Sequence, residues 1–179
     1  MKYSLLVAAV GLSLAACSEK PPEKPATPVA TPATGFARPA TERPNTIQST
    51  QNLPGTCALD SVNDKVISKE ASISDKAKIK LSGWAGNVPA GTSPKQIVVE
   101  LEGPGKVCGG PSKVYIQAAL GIKRQDVADH FKKPGLADVG WVVTADLSDV
   151  AAGAYKVRII QVEGKTGLVC DSNKSIVLK

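Results

Sequence analysis

The chain has 179 residues, a length that suits one folded domain of ordinary size with terminal extensions. Its 22 Lys and Arg residues outnumber its 16 Asp and Glu residues, which gives a formal net charge of +6. The basic residues are spread along the chain, with no arginine-rich run and no ladder of aromatic side chains, so we expect no nucleic-acid partner.

The first residues have the features of an export signal: Lys2, an apolar run over residues 5–14, and small residues before Cys17. The run is about half as long as the ~20 residues that a membrane-spanning helix needs. The sequence Leu14-Ala15-Ala16-Cys17 resembles the lipobox of bacterial lipoproteins, in which the cysteine receives a diacylglycerol and the preceding residues are removed. The resemblance implies that residues 1–16 are a signal peptide and that Cys17 carries fatty acyl groups such as palmitate. An ordinary secretory signal is the alternative.

The lipoprotein resemblance also implies a location in the bacterial cell envelope. Two or more acyl chains hold a protein firmly on a membrane, so the membrane itself is an expected partner through Cys17. In a bacterium with two membranes, an aspartate after the cysteine favours retention at the inner membrane. Ser18 stands there instead, which favours an outer-membrane lipoprotein.

Residues 17–55 have the composition of a disordered, flexible linker. They hold eight of the thirteen prolines and few sizeable apolar side chains, such as those of Phe36 and Ile47. Such a segment cannot bury a core, and we expect it to remain extended and solvated. A peptide motif that another envelope protein captures is the alternative.

Residues 56–179 have a globular composition and alternate with a period of two between turn residues. In residues 96–102, for example, Ile97, Val99 and Leu101 fall on one face and Glu100 on the other. About seven such short runs predict an all-β domain, an antiparallel β-sandwich. The main predicted strands are residues 77–84, 96–102, 113–119, 140–147 and 154–162, with shorter runs at 57–62, 65–67, 166–170 and 174–178.

Residues 147–155, which end in Gly153-Ala154-Tyr155, resemble the corner before strand F in immunoglobulin-like sandwiches. Gly83-Trp84, the segment 124–131 and Gly140-Trp141 accompany this corner in Ig-like domains of bacterial envelope proteins. The resemblance implies an Ig-like fold in which the hydroxyl of Tyr155 bonds back to the backbone. Because the shared motifs are structural, the resemblance implies no activity.

One short helix interrupts the strands at residues 124–131. Val127 and Phe131 are four residues apart and share a face, and Asp126 is the expected N-cap. The connection 117–135 around this helix is long for a hairpin, and long connections are where recognition concentrates. Its basic residues are Lys123, Arg124, His130, Lys132 and Lys133.

Three cysteines remain once Cys17 is assigned to lipid, and an exported protein is expected to form a disulfide. Three pairings are open. We favour Cys57 with Cys170, because these two residues lie at opposite ends of the domain and each adjoins a strand-like run. Cys108 would then be a free thiol. The spacing has no CxxC pair, so we expect no metal.

Residues that could support catalysis are few. Glu100 and Glu102 share a strand face, which would suit a glycosidase or cation site but more commonly means a solvated sheet face. His130 is the only histidine, and no nucleophile motif accompanies it. We therefore expect a protein that is not an enzyme and needs no cofactor.

The sequence thus predicts a lipid-anchored envelope protein that presents a non-catalytic binding or structural domain in the periplasm or at the cell surface. The alternative is a carbohydrate- or polysaccharide-binding accessory module of an envelope enzyme. The expected partner is an envelope protein or a glycan. The candidate ligand-binding residues are Trp84, Arg124, His130 and Trp141. For the two tryptophans we expect a place in the core or on a sheet face first, and a sugar-stacking role is the alternative.

Overall fold

A computed structural model describes residues 36–105 and 111–179. These residues form ten strands, one α-helix and one short 3-10 helix, so the predicted all-β class with a single short α-helix is confirmed, although we expected about seven strands. The strands are β1 (Ser49–Asn52), β2 (Cys57–Val62), β3 (Lys65–Val66), β4 (Glu70–Ile73), β5 (Ile79–Ala85), β6 (Gln96–Gly105), β7 (Pro111–Ile122), β8 (Gly140–Ala145), β9 (Gly153–Glu163) and β10 (Thr166–Leu178). The helix α1 is Gln125–Phe131, and the 3-10 helix is Pro134–Leu136.

The strands follow one hydrogen-bonded path, β1-β10-β9-β6-β7-β8-β5-β2-β3, with β4 also paired to β10. The path folds into two layers at β7, whose residues up to Ala118 pair with β6 and whose residues from Ala119 pair with β8. Most pairs are antiparallel, but β1 and β4 pair with β10 in parallel. The expected purely antiparallel sandwich is therefore corrected to a mixed one.

The alternating side chains of both layers meet in one core. Ile79 and Leu81 of β5 and Trp141 of β8 pack in the same buried cluster as Ile97 and Val157 from the other layer. These residues are fully buried. The period of two therefore assigned the inward faces of these strands correctly, because successive side chains of a strand point to opposite faces.

The corner before β9 has the hydrogen bond that the sequence predicts. The hydroxyl of Tyr155 donates to the carbonyl oxygen of Ala151 at 2.9 Å, while its ring is buried in the core. Gly103 of β6 lies against this ring, where any β-carbon would clash with it.

A disulfide joins the two layers, and the predicted pairing is confirmed. Cys57 of β2 is bonded to Cys170 of β10, with Cα atoms 6.0 Å apart and a sequence separation of 113. Cys170 is fully buried. Cys17 and Cys108 lie outside the described residues.

The end of the expected linker is ordered on the domain, which corrects the boundary at residue 55. Residues 36–53, which we call the N-terminal strap, contain β1 and the buried side chain of Ile47. Ala37 donates to the carbonyl of Thr144 at 2.8 Å, and Ala40 exchanges two backbone hydrogen bonds with Tyr115. Ile47 packs with Val98, Tyr115, Ile160 and Val162 on the outer face of the second layer. The N-terminal strap therefore binds to strand edges through its backbone and to the apolar outer face through Ile47, although its prolines predicted an unstructured segment.

Within the described residues, no helix is long and apolar enough to cross a membrane.

Candidate functional site

An open depression of about 290 Å³ lies beside α1 and contains three of the four candidate ligand-binding residues, Trp84, Arg124 and His130. Asp126, Val127 and Phe131 complete its lining. Its volume is at the lower limit of the range usual for small-molecule sites. The depression therefore has room for one small chemical group.

Aromatic side chains form one side of the depression. Trp84 of β5 and Phe131 at the end of α1 have ring centroids 5.7 Å apart and are tilted by 56°. His130 meets the ring of Phe131 edge-on at 4.7 Å. Beneath them, Val127, Ala128, Leu136 and Val139 form a small buried cluster that fixes α1 against the end of β5. The prediction that Val127 and Phe131 share a helix face is confirmed.

Trp141, the fourth candidate, belongs to the core and not to the site. It pairs with Gly83 across β5 and β8, while Trp84 pairs with Gly140, so the two indoles occupy adjacent positions that face opposite sides of the layer. Trp141 is 0% exposed, and its Nε1 has no hydrogen-bond partner among the described residues. Its role as a ligand contact is therefore corrected to core packing, which the bare Cα of Gly83 makes room for.

Arg124 is held by two carboxylates. Its Nη1 donates to Asp60 at 2.5 Å, and its Nε and Nη2 donate to the two oxygens of Asp126 at 2.9 and 2.8 Å. This arrangement ties the start of α1 to β2. The sequence gives no signal for Asp60, because 64 residues separate it from Arg124.

Asp126 is not the N-cap that we expected. The cap position is Arg124, without a side-chain cap hydrogen bond among the described residues, and Asp126 lies in the first turn. The hydrogen bonds from Arg124 lower the pKa of Asp126, and those to Asp126 and Asp60 raise the pKa of Arg124. The carboxylate of Asp126 therefore forms a bidentate ion pair with Arg124 instead of capping the helix.

The lysines of the 117–135 connection are mostly engaged elsewhere. Lys123 pairs with Asp138 at 2.8 Å, and Lys133 donates to the carbonyl of Pro89 at 2.7 Å. Lys132 and Lys133 line a second open depression of about 330 Å³, beside Asp129 and Pro134. The lysines of this connection are therefore divided among an ion pair, a backbone carbonyl and the second depression.

Glu100 and Glu102 lie on the outer face of β6, but Glu100 is not solvated as we expected. It is 3% exposed and accepts hydrogen bonds from Arg158, with Lys113 at 3.4 Å. Glu102 lies within 4 Å of the same two cations. Burial and the charge of Glu100 raise the pKa of the neighbouring Tyr115 to about 12. The two carboxylates thus serve an ion-pair network on the sheet.

No group of three or more His, Cys, Asp or Glu residues in the described part of the chain is arranged to hold a metal ion. Comparison of the chain with protein-family models, with curated proteins and with solved structures gives no match. The chemistry of the depression therefore has to be inferred from its own residues.

Replacing Arg124 by Met should raise the pKa of Asp126 toward the ordinary value of about 3.9, because the hydrogen bonds that lower it are lost. The stabilisation from this pair is complete above that ordinary value and is lost as the pH falls through the lowered pKa of the folded state. NMR titration of the carboxyl carbons measures both effects.

Asp146 provides the internal control for this titration. Its pKa is lowered by hydrogen bonds with Ser148, not with Arg124, so it should titrate identically in both proteins. An unchanged pKa of Asp126 in the variant would show that Arg124 does not lower the pKa of this carboxyl group.

Proposed function

We propose that this chain is a lipid-anchored protein of the bacterial cell envelope that presents a non-catalytic, Ig-like binding or structural domain. Cys17 is the proposed point of lipid attachment, and the outer membrane is the location that Ser18 favours. The domain would face the periplasm or the exterior.

The Cys57–Cys170 disulfide is the observation that carries this proposal. Disulfides persist in oxidising compartments and are rare in the cytosol, so a buried cross-link between the two layers supports export. Export is also what the segment before Cys17 predicts. The two features are independent, since one lies in the signal and the other in the folded domain.

The Tyr155 hydroxyl bond to Ala151 supports the Ig-like part of the proposal, since sandwiches of that type use a tyrosine at this corner. Domains of this architecture bind or space other molecules in many unrelated settings. The architecture itself therefore favours no particular ligand.

Changing Cys17 to Ala should abolish incorporation of labelled palmitate, because the acceptor thiol is absent. Metabolic labelling measures this. Cys108→Ala is the matched control, because it removes a thiol outside the lipobox and should keep the label. A Cys17→Ala protein that still carries palmitate would contradict the proposal.

The depression beside α1 favours a second candidate function, glycan binding. Aromatic rings such as Trp84 and Phe131 can pack against the C–H face of a sugar, and a few polar groups beside them fix its orientation. Arg124 uses three of its five N–H donors on Asp60 and Asp126, and the other two have no partner among the described residues, so a sugar hydroxyl could accept from them. The oxygens of Asp126, which is 66% exposed, can accept hydrogen bonds.

The charges of the depression favour a neutral glycan over an acidic one. One guanidinium charge on Arg124 faces two carboxylates, Asp60 and Asp126, which leaves a net charge of −1 for the three groups. A uronic acid or phosphorylated sugar would meet like charge there. A neutral or amino sugar would not.

Replacing Trp84 by Ala should lower the affinity for a neutral oligosaccharide at least ~10-fold, which corresponds to about 1.4 kcal/mol. Trp84→Phe should retain most of the binding, because it keeps an aromatic face against Phe131. Val66→Ala, at an exposed position of β3, is the surface control. A glycan array followed by calorimetry on the hits measures the effect, and equal affinities in Trp84→Ala and the native protein would exclude this site.

A further inference from the structure

The N-terminal strap, residues 36–53, is attached to the domain differently from the rest of the chain. It lies before Cys57 and so outside the loop that the disulfide closes. Unfolding of the strap therefore breaks no covalent constraint. The strands between Cys57 and Cys170, by contrast, can open only within a closed loop.

Few apolar side chains attach the strap to the domain. Backbone hydrogen bonds attach it at Ala37, at Ala40 and from Gln48 to Leu53, and the four side chains of β1 are all exposed. Ala37 is partly buried against the core. Ile47 is the one strap side chain that is buried, at 3% exposure. Segments with few buried apolar contacts and exposed backbone hydrogen bonds open at lower free energy than the core around them.

The surface under the strap can stay intact without it. Val98, Ile160 and Val162 belong to β6 and β9, which pair with each other and with β7 and β10 whether or not the strap is present. The ion pair between Glu100 and Arg158 also lies within those strands. Opening of the strap would therefore expose an apolar patch and leave the two layers folded.

We propose that the N-terminal strap is a releasable latch that sets how far the domain stands from its membrane anchor. The described part of the strap runs from residue 36 to residue 53, and its release would free 53 − 36 = 17 residues, or on the order of 55 Å of extended chain. This use of the latch rests on the proposed lipid anchor at Cys17, whereas the latch itself does not.

Ile47→Asp tests the latch, because a carboxylate cannot replace the isoleucine among Val98, Ile160 and Val162. In the full chain, hydrogen exchange of residues 37–53 and of the Tyr115 amide, which donates to Ala40, should become at least ~10-fold faster. The amides of β5 and β8 should keep their native rates. Thr46→Asp is the matched control, since it places the same charge one residue earlier on an exposed side chain, and it should exchange like the native protein.

Uniform acceleration of the strap and of β5 and β8 in Ile47→Asp would overturn the proposal, since the strap would then unfold only with the whole domain. Unchanged strap exchange would overturn it as well. If Ile47→Asp does not fold, Ile47→Ala provides the same comparison, because it removes most of the buried side chain without adding a charge. Its expected pattern is the same selective acceleration.

The membrane part of the proposal needs a second readout. Lipidated protein is reconstituted in vesicles of phosphatidylethanolamine and phosphatidylglycerol, which are then fused to a planar bilayer. Neutron reflectometry on this bilayer should place the domain of Ile47→Asp farther from the lipid than the domain of Thr46→Asp. Equal distances with selective strap exchange would show a latch that does not control reach. Protein that carries no lipid at Cys17 would instead refute the anchor and leave the exchange result standing.

Discussion

The disulfide between Cys57 and Cys170 is the constraint on which the domain depends most. It joins β2, near one end of the strand path, to β10, near the other. The two layers are otherwise connected through β7, which pairs with β6 in one layer and with β8 in the other. Fully buried side chains from both layers fill the space between them. The cross-link therefore lies across the core that the alternating strands produce, and it encloses most of the domain in one covalent loop.

The outer face of the second layer imposes the next requirement. Val98, Ile160 and Val162 point away from the core and would be exposed without Ile47. Farther along the same strands, Glu100 is buried, and burying its charge would destabilise the fold without Arg158 and Lys113 beside it. The N-terminal strap covers the apolar side chains, and the cations of the ion-pair network compensate the buried charge of Glu100. The strap also occupies sheet edges at β7 and β10 that would otherwise have free backbone groups.

The sequence predicts the inward faces well because a period of two is a local property. It predicts the disulfide from position alone, and Tyr155 from a local motif. It does not predict the strap, because the prolines of residues 17–55 dominate the composition while attachment depends on Ile47 and on backbone groups far away in the chain. For the same reason, periodicity alone does not find the parallel pairing of β1 and β4 with β10.

The candidate site shows the same division between local and distant information. The sequence finds Trp84, Arg124 and His130, which lie on or next to one strand and one helix. It cannot separate Trp84 from Trp141, because both follow a glycine in a strand and only the register of β5 against β8 shows which one faces outward. It also misses Asp60, whose partner Arg124 comes near only in the folded chain.

Urea unfolding of the oxidised native protein beside Cys57→Ala/Cys170→Ala tests whether the disulfide holds the two layers of the domain together. We expect the variant to lose roughly 4 to 5 kcal/mol of unfolding free energy, the amount typical of a loop with a sequence separation of 113. A reductant should destabilise the native protein and not the variant. Equal stability of the two proteins, or an effect of the reductant on both, would show that the disulfide does not stabilise the domain in this way.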